Sequence, residues 1–212
     1  VLYGPQAMGG VINIITKRPA KTGEVKGSVI GGIGSNKKLA AANVQTDVVN
    51  VGYKKTWNKD FNNAVMPGNT GLGTAINIKD KSSDQFYLDA QLAKDLTFSW
   101  GRNHSEVKYQ SGSYSNFTPV MTKLSQYNST YNSYSLAYDN KDTGWKTVLG
   151  YNTMDLSCLP LKGASYSKYD GYNANFDLQK KFNLKNDDSL IFGVNVNRES
   201  METQTTVFNK AG

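Results

Sequence analysis

The sequence predicts an all-β protein: an antiparallel transmembrane β-barrel, present in part, with about nine strands. Three observations predict it. Apolar and polar residues alternate with period two along most of the chain, short and long links take turns between the alternating stretches, and the second row of each strand is polar rather than apolar. Composition agrees: of 212 residues only 38% are hydrophobic, while Gly (20) and Tyr (13) are plentiful, which suits half-exposed strands better than a packed helical core. The longest uncharged opening stretch, residues 1–16, is too short and too interrupted by Gly and Pro to cross a bilayer as a helix.

Residues 24–33, 39–48 and 51–60 carry weak alternation and are read as three early strands. A first strong hairpin follows, with Phe86, Leu88, Ala90 and Leu92 on one row, Leu96, Phe98 and Trp100 continuing it, and Ala93-Lys94-Asp95 as the turn. The next sets Tyr134, Leu136 and Tyr138 before a turn-rich tip at 140–144 and Trp145, Thr147, Leu149 and Tyr151 after it. A last hairpin places Tyr172, Ala174, Phe176 and Leu178 against Leu190, Phe192, Val194 and Val196, joined across 183–188. The longer links are expected at 60–81, 109–129 and 155–168, with a tail from Met201; only the link at 34–38 departs from the pattern by being brief. Short turns on one end and long loops on the other are the habit of outer-membrane barrels, and Trp57, Trp145, Tyr151 and Tyr169 fall near strand ends, where interfacial aromatics belong.

The polar row consists of Asn, Gln, Asp, Ser, Thr and Gly, which suits a wide lumen holding water or a polar filling. A wide lumen needs many strands. Nine is an odd number with two open edges, which lipid does not tolerate, so these strands are expected to be a piece of a longer chain. On pattern alone, cross-strand aromatic pairs of a soluble sheet remain the other reading.

The opening Leu2-Tyr3-Gly4-Pro5-Gln6-Ala7-Met8-Gly9-Gly10-Val11-Ile12-Asn13-Ile14-Ile15-Thr16-Lys17-Arg18-Pro19 has its own logic. Gly4 and the Gly9-Gly10 pair allow a sharp turn, Val11 to Thr16 is apolar on both faces as a doubly covered strand requires, and Pro19 ends it. This stretch resembles the end of the plug domain of TonB-dependent outer-membrane receptors, with Tyr3, Gly4, Gly9, Gly10, Asn13, Thr16 and Lys17 on the motif's positions. It is most similar to receptors of the ferric-siderophore, colicin I and cobalamin type. The resemblance implies that residues 1–20 end a plug and residues 21–212 begin its barrel. It also implies location in a bacterial outer membrane, lipid around the wall, and active uptake of a small metal chelate. The chelate is expected to be a ferric siderophore, with haem or cobalamin as the other classes, so iron or cobalt would arrive as cargo and no resident cofactor is expected. TonB would act through a segment outside this chain. A passive porin shares the wall but not the opening motif, and a soluble all-β adhesin or carbohydrate-binding module is the alternative from another class.

Other chemistry finds little to build on. A net charge of +7 comes from scattered Lys residues rather than a basic stripe, so no nucleic-acid partner is expected. One Cys and one His offer no metal framework, triad or nucleophile elbow, and His104-Ser105-Glu106 lacks the Cys pair of a zinc deaminase. His104 is read as a strand-end or loop residue. No catalytic residue and no enzyme are expected. The candidate ligand site is the loop after the first strong hairpin: Tyr109, Tyr114, Phe117 and Tyr127 among Ser and Asn, with Arg102 nearby to meet an anionic, aromatic ligand.

Overall fold

The computed structural model describes residues 22–59, 61–66, 74–115, 118–121, 124–160, 166–184 and 188–206. All regular structure among them is strand: β1 (Lys26–Ile33), β2 (Lys37–Gln45), β3 (Val49–Asn58), β4 (Phe61–Met66), β5 (Thr74–Ala93), β6 (Leu96–Ser115), β7 (Thr118–Met121), β8 (Ser125–Asn140), β9 (Trp145–Pro160), β10 (Tyr166–Asn183) and β11 (Ser189–Thr206). They form one antiparallel sheet in the order β1-β2-β3-β5-β6-β8-β9-β10-β11, with β4 beside β5 and β7 beside β6 at their outer ends. The nine-strand path agrees with the sequence reading. The sheet is open: β1 and β11 are its two edges and do not pair, so these strands do not close a barrel. Residues 1–21, and with them the plug-like motif, lie outside the described residues.

The strands are longer than the sequence suggests. Most of the expected loop at 109–129 is the outer end of β6, then β7 and the start of β8; the loops expected at 60–81 and 155–168 shrink in the same way. The tail expected from Met201 belongs to β11 as far as Thr206. The cause is physical: past the middle of each strand both rows are polar, so alternation disappears while the backbone ladder continues unbroken.

Register sorts the side chains onto two faces. One row of direct partners runs Val51, Leu88, Trp100, Tyr134, Tyr151, Ala174, Arg198. The next row toward the short turns runs Val49, Ala90, Phe98, Leu136, Leu149, Phe176, Val196. This apolar face carries a chain of ring contacts from Phe86 through Trp100, Tyr134 and Tyr151 to Tyr172, with centroids 4.8 to 6.5 Å apart. At the turn end Phe182 meets Phe192 edge-on at 6.1 Å, and the Lys180 ammonium sits over Trp145 at 5.0 Å. On β10 this face runs Tyr172, Ala174, Phe176 and Leu178 before Lys180 and Phe182, whereas on β6 and β8 its apolar stretch is only five residues long, where Arg102 and Asn132 begin the polar part.

No described residue covers this face. No large side chain among the described residues is fully buried, and Phe192, Val194 and Val196 are 60%, 58% and 55% exposed. Each such side chain would gain about 1.5–3 kcal/mol on full burial, so the sheet does not supply its own apolar environment.

The short turns are stitched to one another. Thr46 Oγ1 accepts from the Val48 and Val49 amides, Asn140 Oδ1 caps the Thr143 amide at 2.7 Å, Asn140 Nδ2 donates to Asp95 at 2.7 Å, and the Lys181 amide donates to the Gly144 carbonyl. This edge is oblique. Measured from the Val51–Arg198 row, β3 ends two residues away (51 − 49), β5 five (93 − 88), β8 six (140 − 134), and β10 and β11 nine (183 − 174; 198 − 189). At ~3.3 Å per residue and ~4.8 Å per strand, a drift of seven residues (9 − 2) over the six steps from β3 to β11 is a slant of about 40°.

Gly144, at φ +73°, is required where it stands, since a Cβ there would meet the Lys181 carbonyl oxygen. Gly144→Ala is expected to cost about 2 kcal/mol and to lower the urea midpoint. Asp142→Ala, which removes only an exposed pair with Lys94, should leave that midpoint within about 0.5 kcal/mol of the parent.

Candidate functional site

The face opposite the aromatics is built from amides, carboxylates and small residues. Asn43 Nδ2 donates to Asn50 Oδ1 at 2.9 Å and to the Tyr87 hydroxyl at 2.6 Å, and Asn50 Nδ2 reaches Asp89 at 3.3 Å. Tyr87 lies flat across its direct partner Gly52, where any Cβ would collide with the ring. On the far strands Asn173 Nδ2 donates to both Asn197 Oδ1 (2.8 Å) and Glu199 Oε1 (2.9 Å), and Asn197 also donates to Glu199 at 2.9 Å. The Glu199 carboxylate therefore accepts two amide donors and faces no cation in these contacts.

Between these two ladders the polar face holds a trough of about 840 Å³, bordered by Gln85, Asn103, Tyr131, Asn152, Met154 and Met201. Its exposed lining is mostly hydrocarbon, from Tyr131, Met154, Met201 and side-chain stems, with the amides of Gln85, Asn103 and Asn152 as its hydrogen-bonding groups. It therefore suits a partner that is itself largely apolar or aromatic with a few donors and acceptors. Among the described residues no group of three or more His, Cys, Asp or Glu is arranged to hold a metal ion. The trough residues escape sequence reasoning as a site because each is simply the polar member of an alternating pair.

The predicted ligand residues are separated by the register. Tyr109 and Tyr127 share the polar face with Cys158: the Tyr109 hydroxyl is 3.6 Å from the Cys158 Sγ, and Tyr127 is the direct partner of Cys158. Arg102 is on the other face, between Phe86 and Asn132. Tyr114 is near the end of β6, where its backbone pairs with Pro119, and Phe117 lies outside the described residues. His104 is inside β6, not at a strand end or in a loop, with Nδ1 2.9 Å from the Thr130 hydroxyl.

Beyond the aromatic row the apolar face turns into a charged one. Asp84 accepts from the Tyr53 hydroxyl at 2.5 Å and pairs with Lys55 at 3.0 Å, while Lys168 pairs with Asp170 at 2.6 Å and Lys108 with Asp80 at 3.5 Å. The lysines of this rim are thus neutralised by neighbouring carboxylates.

Comparison with known proteins finds no matching family model, no similar curated protein and no similar solved structure.

Tyr109 and Tyr127 lie nine (109 − 100) and seven (134 − 127) residues beyond the aromatic row, on the long-link side. The Cys158 hydrogen bond, then burial, raises the Tyr109 phenol above its ordinary value; burial, then nearby Tyr131, raises Tyr127. Raised phenols keep their protons longer in the folded chain, so their contribution to stability is complete below the ordinary tyrosine range and is lost as pH climbs through the raised values. Ultraviolet titration should show a late phenolate phase after the exposed tyrosines, which Tyr109→Phe and Tyr127→Phe together remove. A single phase unaffected by both substitutions would contradict this arrangement.

Proposed function

We propose that this chain is part of a TonB-dependent outer-membrane receptor. In this reading β1 to β11 form the first part of its barrel wall, residues 1–20 end its plug, and the complete receptor imports a ferric siderophore. The observation that carries the reading is that one sheet presents two faces suited to two different solvents. The apolar face is exposed and edged by aromatic rings, while the polar face is lined by amides. A soluble sheet would bury its apolar rows in a second layer, and the described residues provide none.

Geometry adds support. The turn edge slants by about 40°, within the tilt of roughly 35–45° for strands in outer-membrane barrels. At that slant the ten-residue step from Tyr172 to Phe182 on β10, in which Lys180 is the one charged side chain of the row, rises about 25 Å, close to the height of an outer-membrane apolar band. Open edges at β1 and β11 would be covered by further strands of the complete wall. The trough and the phenols of Tyr109 and Tyr127 would then face the lumen, where an aromatic chelate needs both apolar surface and hydrogen-bond partners. TonB would supply the work by pulling on the plug, so the wall itself needs no catalytic group.

Trp100 and Trp145 register on the apolar face, while Trp57 stands on its charged rim beside Lys55, so the first two are the reporters. In vesicles whose acyl chains carry bromine, most tryptophan emission should be quenched relative to unbrominated vesicles; unchanged emission would refute the membrane reading. Transport has its own test. In iron-starved cells, accumulation of a radioiron catecholate should fall to background when this gene or TonB is deleted, and undiminished accumulation would overturn the ligand assignment.

A further inference from the structure

Beyond the aromatic rings, the charged rim contains one continuous line of direct partners: Lys55, Asp84, His104, Thr130, Asp155, Asp170 and Glu202. At its β3 end opposite charges meet, Lys55 with Asp84 at 3.0 Å. On β9 and β10 they do not. Asp155 and Asp170 stand directly opposite each other, an arrangement in which two ionised carboxylates repel. Both strands lie inside the sheet, β9 between β8 and β10, and β10 between β9 and β11.

The surroundings of Asp170 show how the repulsion is relieved. Its Oδ2 is held by the Lys168 ammonium at 2.6 Å. Its Oδ1 is closed off from solvent, yet no N–H or hydroxyl of a described residue reaches it. Besides Lys168, the side chain within hydrogen-bonding reach of Asp170 is the Asp155 carboxyl. An ionised carboxyl only accepts, so these two groups hydrogen bond only if one of them carries a proton. Lys168 fixes the negative charge on Asp170, which leaves the proton to Asp155. The other groups facing the pair are occupied. Thr130, opposite Asp155 on β8, meets the His104 Nδ1 at 2.9 Å. Glu202, opposite Asp170 on β11, is a third carboxyl and accepts from Gln204 at 3.3 Å, while Tyr172 packs against Tyr151.

We propose that Asp155 and Asp170 share one proton and form a pH-sensitive latch across the outer ends of β9 and β10. With the proton present, the Asp155 O–H donates to Asp170 and ties the strands together. Without it, two adjacent carboxylates, with Glu202 next in line, push the strands apart. The latch holds with or without the membrane reading; under that reading it stands two residues beyond Tyr172 (172 − 170), outside the apolar band. Asp155 is exposed, so its proton exchanges with the medium. The hydrogen bond to Asp170, then burial, holds the Asp155 carboxyl above the ordinary aspartate range. Its contribution is therefore complete below the ordinary value and is lost as pH rises through the raised one. Between the two, opening of the strand pair becomes about tenfold easier per pH unit. Asp170, held low by Lys168 and then by Asp155, stays ionised throughout that window.

The test uses the full-length protein in detergent micelles with EDTA, from about pH 4.5 to about pH 8. Amide hydrogen exchange, corrected for its intrinsic pH dependence, should show opening around residues 153–157 and 168–172 rising steeply with pH, while the turn-side residues 147–150 do not change. Asp155→Asn, whose amide donates to Asp170 without a titrating proton, should keep the acidic parent's protection at every pH. The infrared difference between parent and this variant should contain the band of a protonated carboxyl at about pH 5.5, where ordinary aspartates are ionised. Absence of that band, or a pH dependence that survives in Asp155→Asn, would overturn the latch. So would protection that appears only when calcium replaces EDTA, because the pair would then hold a cation rather than a proton. Should Asp155→Asn disturb folding, Asp170→Asn places the amide on the other strand and should flatten the pH dependence in the same way.

Discussion

The backbone ladder holds this chain in one arrangement. Each central strand pairs with both neighbours over ten or more residues, and β10 pairs with β11 along eighteen consecutive positions. Hydrophobic burial does much less than in an ordinary domain, since no large side chain among the described residues is fully buried. Everything else is a consequence of register. A slip of one residue between two strands would send Leu136 and Tyr134 to the amide-lined side and Ser133 and Ser135 to the aromatic side. The turns enforce the register locally, because Asn140, Thr46 and Gly144 fix where each hairpin reverses.

The same division governs where charge can stand. Lysines near the long links neutralise themselves against Asp80, Asp84 and Asp170, while at the turn end Lys180 is held over Trp145 and Phe182 by its attraction to their ring faces. On the proposed reading these are the two polar boundaries of a membrane. Long side chains there keep their charge in the headgroup region and lay their stems along hydrocarbon.

The strands and their pairing order were legible in the sequence wherever one row was apolar. Phe86, Leu88 and Ala90, or Phe176, Leu178 and their partners, announce a period of two. Strand length was not legible, because Ser105 and Ser129 share one face and Asn128 sits on the other, yet they are chemically alike, leaving nothing for a pattern to detect. The candidate site shows the cost. Treated as loop residues, Arg102 and Tyr109 look like neighbours, but seven residues apart on one strand is an odd number, and an odd separation places them on opposite sides. The amide clusters around Asn43 and Asn173 depend on cross-strand partners 7 to 44 residues away, so no local reading of the chain could assemble them.

Along the nine-strand path, every strand touches only those just before and after it. Such a meander has a low mean sequence separation between contacts for a β protein, and the entropy of closing each tight turn is small. Hairpins closed by Lys94-Asp95 and by 141–144 can zip from their turns on the microsecond scale, each then serving as a template for the next. Growth of this kind is directional and incremental. At every intermediate stage the newest strand forms the growing edge while β1 remains the other, so the order of synthesis and the order of assembly are able to coincide.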